Sequence, residues 1–130
     1  MRLREALLIT ERPTRLRWLA PLAWMGGIFW LSAQPSLPSA PEPLADLVLK
    51  KTGHFVLYAV LAVLWMWALT SEGWARGRRA RVALLICALY AVSDEVHQMF
   101  VPGRGPRVTD VLIDIAGAWA ATRIPLHPGI

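Results

Sequence analysis

Hydrophobic residues in this chain occur in four long blocks, which polar, proline-rich or basic connections separate. The blocks cover residues 16–33, 54–70, 80–101 and 108–124. An α-helix rises 1.5 Å per residue, so about 20 mainly apolar residues cross the hydrocarbon core of a bilayer. The pattern therefore predicts an all-α, polytopic membrane protein with four transmembrane helices.

The connections between the blocks predict the domain organisation. Residues 34–43 include four prolines and are typical of an exposed loop. The run 102–106 combines proline and glycine and should end the third helix. We predict a basic cytoplasmic arm at 1–15, one membrane domain at 16–124 and a short cytoplasmic tail at 125–130.

Composition supports a membrane protein and argues against two other classes. The chain is 55% hydrophobic with a mean hydropathy of +0.41, which is too apolar for an ordinary soluble domain. Its net charge of +5 does not indicate a nucleic-acid partner, because the basic residues lie between the blocks and form no continuous stripe. Cys87 is the only cysteine, so no intramolecular disulfide can form, and we expect a small core residue there.

The distribution of Lys and Arg predicts the orientation of the helices. The two termini and the connection at 72–81 together carry ten such residues, and the other side carries four. The positive-inside rule then places both termini in the cytoplasm.

A cleaved signal peptide is the alternative for the first block. Its apolar run exceeds the usual 7–15 residues and no clean cleavage site follows, which favours retention.

Polar residues near the extracytoplasmic ends of the last three blocks form the candidate site. Ionisable groups inside a membrane are costly and usually face a protein interior or a cavity. Residues four apart lie on the same face of a helix, which gives three polar stripes. The stripes are His54 with Tyr58, Asp94 with Gln98, and Asp110 with Asp114. We predict that they form an outward-facing pocket, with Lys51, Arg104 and Arg107 as counter-ions and Arg104 between Asp110 and Asp114.

Two kinds of role are predicted for these residues. Asp94 or Glu95 is the candidate general base, and His54 would assist proton transfer. The candidates for substrate binding are Lys51, Tyr58, Gln98, Arg104, Arg107, Asp110 and Asp114. The alternative is that the same side chains only fasten the helices together. The spacing of His54, Asp94, Glu95 and His97 matches no common metal site, so we predict neither a metal nor a cofactor.

Three segments together resemble a known family. They are Lys51-x-x-His54-Phe55-x-x-Tyr58, then Ser93-Asp94-Glu95-x-His97-Gln98-x-Phe100-x-Pro102-Gly103-Arg104, then Asp110-Val111 with Gly117. Their order and spacing resemble the VanZ-like family of small bacterial membrane proteins, whose founding member is associated with teicoplanin resistance. The end of the first block, Phe29-Trp30-Leu31-Ser32-x-Gln34-Pro35, is similar as well. Two positions depart from the family pattern, since Asp114 replaces a usual Asn and Lys50 a frequent acidic residue.

The resemblance implies a multi-pass protein of the bacterial cytoplasmic membrane, and it agrees with the extracytoplasmic site that the Lys and Arg distribution predicts. Three function classes follow. The first is binding or handling of an anionic envelope lipid or lipid-linked cell-wall precursor, with an effect on susceptibility to teicoplanin-type glycopeptides. The second is a membrane-embedded enzyme that acts on a phosphate- or ester-containing lipid head group with an Asp or Glu base. The third is a proton-coupled transporter or structural accessory protein. Whether the chain is an enzyme, and whether it forms a homodimer, is left open.

Overall fold

The structure is a computed structural model that describes residues 15–37 and 39–125. The described residues form four α-helices and two 3₁₀-helical turns, so the all-α prediction is confirmed. The α-helices are α1 (Leu19–Ser32), α2 (Pro43–Ala68), α3 (Arg76–Gln98) and α4 (Val108–Arg123), and the turns are Arg15–Trp18 and Leu69–Glu72.

Helix α2 is longer than its hydrophobic block. The sequence pattern predicted that it begins at residue 54, which was wrong, because the helix begins eleven residues earlier at Pro43. Proline suits the first turn of a helix, where its missing N–H has no intrahelical acceptor. An ion pair between Asp46 and Lys50, four residues apart and 2.9 Å from N to O, also stabilises the added turns. As a result Lys51 lies within the helix and not at its start.

The helices differ in their capacity to cross a membrane. Among the described residues, one helical segment, Pro43–Glu72 with 30 residues, is long and apolar enough for a span. Helix α1 has 14 residues and is therefore about 21 Å long, shorter than the roughly 30 Å hydrocarbon core. The arrangement of four spans remains a prediction.

Small side chains fill the interfaces between the helices. The buried ones include Ala62, Ala83, Cys87, Ala91, Ala118 and Ala121. Large apolar side chains lie on the outside instead, and Leu89, Phe100 and Leu112 are 60% or more exposed. This distribution is typical of helices that pack through small residues and face lipid. The prediction of Cys87 as a small core residue is confirmed.

Helices α2 and α4 are in close contact at Gly117. A Cβ atom on this glycine would lie 2.2 Å from the backbone oxygen of Phe55, so only glycine fits without a shift of the helices. Ala118 and Ala121 on the same helix are also buried, so small residues form the packing face of α4. The close approach lies one residue from His54 on α2 and one turn from Asp114 on α4.

Different segments of the chain meet at the two ends of the bundle. At one end, Arg15 pairs with Glu72 at 3.2 Å, and Arg76 donates to the backbone oxygen of Ile124 at 2.7 Å. This end therefore combines the start of α1, the connection from α2 to α3, and the end of α4. The loops before α2 and before α4 meet at the other end. Which end faces the cytoplasm remains a prediction.

One arginine in the first turn of α3 has a role that its sequence context did not suggest. Arg79 is buried, and its guanidinium donates to the backbone oxygens of Met66 at 2.9 Å and Trp74 at 3.2 Å. The last carbonyls of a helix lack intrahelical donors, so Arg79 stabilises the end of α2. The interpretation of the whole cluster at 76–81 as a topology signal was thus incomplete.

Candidate functional site

Two polar pairs join α2 to α4. Lys51 Nζ donates to Asp110 Oδ1, and His54 Nδ1 lies 2.8 Å from Asp114 Oδ1. Lys51 and His54 are three residues apart and lie on one face of α2. Asp110 and Asp114 are four residues apart and lie on the facing side of α4. A carboxylate oxygen accepts hydrogen bonds, which places the hydrogen of a neutral His54 ring on Nδ1 and leaves Nε2 as the free acceptor.

Arg104 does not lie between the two aspartates, and that prediction was wrong. Its Nη1 donates to the backbone oxygens of Leu31 at 3.2 Å and Gln34 at 3.0 Å, at the end of α1. These oxygens lie at the C-terminal end of α1 and carry partial negative charge, so a cation is favourable there. Lys51 and His54 occupy the positions next to the aspartates.

The position of Arg104 follows from the turn that precedes it. Gly103 has a φ of +82°, a left-handed conformation that glycine adopts without strain. A Cβ atom at this position would lie 3.1 Å from the backbone oxygen of Pro35. The loop before α4 is thereby held against the loop that follows α1, and Arg104 is directed toward α1 and not toward α4.

A cavity of about 590 Å³, here called the basin, opens at this end of the bundle. Its walls are the two loops, the first turns of α2 and the start of α4. Four cations and two carboxylates line it, together with four other polar residues. They are Lys50, Lys51, Arg104, Arg107, Asp46, Asp110, His54, Gln98, Ser36 and Ser39. The excess of cations favours an anionic ligand.

A second cavity of about 270 Å³, here called the chamber, lies between α1, α2 and α3. Most of its wall is apolar and includes Ile28, Leu31, Leu49 and Leu57. Its polar residues are Ser32, Tyr58 and Asp94, together with Lys50, His54, Gln98 and Arg104, which also line the basin. The chamber and the basin are therefore adjacent cavities with common walls.

A family model matches almost the whole chain. The family model described as VanZ/LLP1 matches residues 8–125, which includes all four helices and both cavities. The chain belongs to the VanZ/LLP1 family. No curated protein and no solved structure matches it. Membership is consistent with a membrane protein linked to glycopeptide resistance.

The structure brings eight of the ten predicted site residues of this VanZ/LLP1 protein to the two cavities. They are Lys51, His54, Tyr58, Asp94, Gln98, Arg104, Arg107 and Asp110. Asp114 is only 1% exposed, lines neither cavity and lies behind His54. Glu95 also lines neither cavity, and its Oε1 accepts a hydrogen bond of 3.1 Å from the backbone N–H of Arg107. Glu95 therefore stabilises the start of α4, and its role as a base remains a prediction.

Ser32 and Lys50 are polar residues of the chamber that are not among the ten predicted site residues. The signal for Ser32 was its place in the first-block motif, Phe29 to Pro35, which resembles the VanZ-like pattern. His97 was considered as a metal ligand, but its ring stacks on Phe29 with centroids 4.3 Å apart. Within the described part of the chain, no group of three His, Cys, Asp or Glu side chains is close enough to hold a metal ion.

Proposed function

We propose that this VanZ/LLP1 protein crosses the bacterial cytoplasmic membrane four times and binds an anionic envelope lipid or lipid-linked cell-wall precursor at its outer face. Binding of this ligand would change susceptibility to teicoplanin-type glycopeptides. The adjacency of the basin and the chamber carries the proposal. A phosphate in the basin and a hydrocarbon chain in the chamber would place each part of an amphipathic ligand against matching walls.

The charge pairs of the basin indicate which side chains would hold the phosphate. Lys50 pairs with Asp46, and Lys51 pairs with Asp110. The guanidinium of Arg107 is exposed and makes no hydrogen bond or ion pair with a described residue. A guanidinium forms two parallel hydrogen bonds with a phosphate, so Arg107 is the principal candidate ligand contact.

The proposed membrane orientation has separate support. The outward position of large apolar side chains suits a lipid environment. The basic residues of the N-terminal arm and of the connection at 72–81 favour the cytoplasmic side. The basin would then face the compartment where glycopeptides act on cell-wall precursors.

The test of the binding function is the substitution Arg107→Ala, with Arg81→Ala as the matched control. Arg81 is exposed at the other end of the bundle and lines neither cavity. We expect Arg107→Ala to weaken the binding of dodecyl phosphate to protein in phosphatidylcholine nanodiscs by about tenfold, the effect of one charge-assisted hydrogen bond. The control should bind as the wild type does. Equal affinity of the two variants would refute a phosphate site in the basin.

A second candidate function, hydrolysis of a lipid head group, is favoured by the pair of His54 and Asp114. Nε2 of His54 could take a proton from water while the water oxygen bonds to the phosphorus or carbonyl carbon of the ester. The ester bond would break, and the departing oxygen would receive from His54 Nε2 the proton that was taken from water. Asp114 would hold the ring in the correct tautomer and stabilise its protonated form.

The substitution Asp114→Asn separates the two functions. The amide oxygen of Asn still accepts from Nδ1–H of His54, but the negative charge is absent. If the protein only binds its ligand, affinity and teicoplanin susceptibility should stay at wild-type values. If it is a hydrolase, head-group release should fall by about 100-fold or more, because general-base catalysis contributes that much. The measurement is head-group release by purified wild type and variant.

A further inference from the structure

Three polar atoms in the chamber are buried without a hydrogen-bond partner among the described residues. They are Ser32 Oγ, Tyr58 Oη and Asp94 Oδ1, in residues that are 3%, 1% and 7% exposed. The Ser32 hydroxyl lies close to the Asp94 carboxylate, but the two form no hydrogen bond of good geometry, so Oδ1 still lacks a donor. Buried polar groups are nearly always paired, and an unpaired one costs about 1–3 kcal/mol. The three atoms come from α1, α2 and α3 and line the same cavity. Their convergence points to a ligand group that supplies the missing partners.

The hydrogen-bonding capacity of the three groups defines that ligand group. The carboxylate of Asp94 needs a donor, whereas the hydroxyl groups of Ser32 and Tyr58 can both donate and accept. A ligand hydroxyl meets both requirements. A plain hydrocarbon chain or an ether oxygen cannot donate to Asp94. An ammonium group can donate but cannot accept from Tyr58 or Ser32.

The position of Asp94 indicates where the hydroxyl group lies in the ligand, which is between the phosphate and the hydrocarbon chain. Gln98 lines both cavities and lies four residues after Asp94, which corresponds to about 6 Å along α3. The remaining chamber wall is mostly apolar. A ligand with its phosphate in the basin and its chain in the chamber therefore carries its hydroxyl group close to the phosphate.

We propose that the chamber recognises a hydroxyl group between the phosphate and a single hydrocarbon chain, as in a monoacylglycerol phosphate. The phosphate part of this inference rests on the proposed function, and the hydroxyl part rests on the chamber alone. A volume of about 270 Å³ is at the lower end of ligand sites, which suits one chain. Polyprenyl phosphates lack the hydroxyl and would leave Asp94 unpaired.

The experiment compares three probes on the full chain in phosphatidylcholine nanodiscs, by calorimetry. The probes are 1-dodecanoylglycerol 3-phosphate, its 2-O-methyl ether, and 1-dodecanoylglycerol without phosphate. We expect the wild type to bind the ether about tenfold more weakly than the free hydroxyl compound, since one hydrogen bond to a charged group is lost.

Two substitutions test which side chains cause the difference in affinity between the hydroxyl compound and its ether. Leucine is similar in size to aspartate and cannot accept a hydrogen bond. We therefore expect the Asp94→Leu variant to bind the hydroxyl compound and its ether with equal affinity. Its melting temperature should equal or exceed that of the wild type, which separates lost recognition from lost folding. Tyr58→Phe should reduce the discrimination, and Tyr90→Phe is its matched control. Tyr90 Oη already donates to the backbone oxygen of Met25 at 2.5 Å and lines neither cavity.

The three probes also distinguish the two proposals. Equal binding of the hydroxyl compound and its ether by the wild type would overturn the chamber inference and leave the phosphate site standing. Binding of 1-dodecanoylglycerol that depends on Asp94 and does not improve with phosphate would support the chamber and overturn the anion-binding function. If none of the three probes binds, both proposals are overturned.

Discussion

The contact between α2 and α4 at Gly117 controls the geometry of the candidate site, and Gly117→Ala tests this directly. The added methyl group would lie 2.2 Å from the backbone oxygen of Phe55, against at least 3.4 Å in an ordinary contact. Because the contacting atom belongs to the backbone, no side-chain rotation can relieve the overlap. The two helices must separate by about 1 Å.

This separation acts on the polar pairs beside it. The distance of 2.8 Å between His54 Nδ1 and Asp114 Oδ1 would grow to nearly 4 Å, beyond hydrogen-bonding range. Overpacking costs about 1–3 kcal/mol, and loss of a hydrogen bond that involves a charged group costs about 1.5–3 kcal/mol. Alanine regains about 1 kcal/mol of helix propensity. We therefore expect a net loss of about 2 kcal/mol or more.

The assay is thermal unfolding in detergent, followed by circular dichroism, together with the probe binding described above. Gly27→Ala is the matched control, because Gly27 is also helical but a Cβ atom there meets nothing within 4 Å. We expect the control to melt at or above the wild-type temperature and Gly117→Ala to melt clearly below it, with weaker binding. If the two variants behave alike, the close helix contact does not position the site.

Three further predictions concern orientation and charge. In a variant without Cys87, a cysteine at position 39 should react with an impermeant reagent from outside the cell and one at position 77 only from inside; the reverse pattern would contradict the extracytoplasmic site. The Arg104→Lys variant should no longer bind the ligand, and its unfolding free energy should fall by about 1 kcal/mol, because one ammonium cannot replace the guanidinium at the end of α1. A variant with wild-type melting and binding would contradict this role. Asp110→Asn should lower the unfolding free energy by about 1–3 kcal/mol, since the lysine paired with it on α2 loses its charge partner; unchanged unfolding would show that the pair contributes nothing.

The four hydrophobic blocks were sufficient to predict four helices, and helical geometry was sufficient to predict polar stripes on the last three. The spacing of His54 with Tyr58 and of Asp94 with Gln98 depends only on helical geometry, so it could be read from the chain. The absence of a side chain at Gly117 is likewise a property of the sequence, but its close contact with Phe55 depends on how α2 and α4 pack. The start of α2 could not be located in this way, since its first turns are amphipathic and contain charged residues.

The partners of Lys51, His54 and Arg104 were decided by tertiary structure alone. Arg104 is nearer in sequence to Asp110 than Lys51 is, yet the turn at Gly103 directs it to the end of α1 and leaves Asp110 to Lys51. Sequence distance does not determine which donors meet, because a loop of a few residues can direct a long side chain to either side. The chamber has the same origin. Its three unpaired polar atoms lie on three helices, and only the packing of those helices brings them to one cavity.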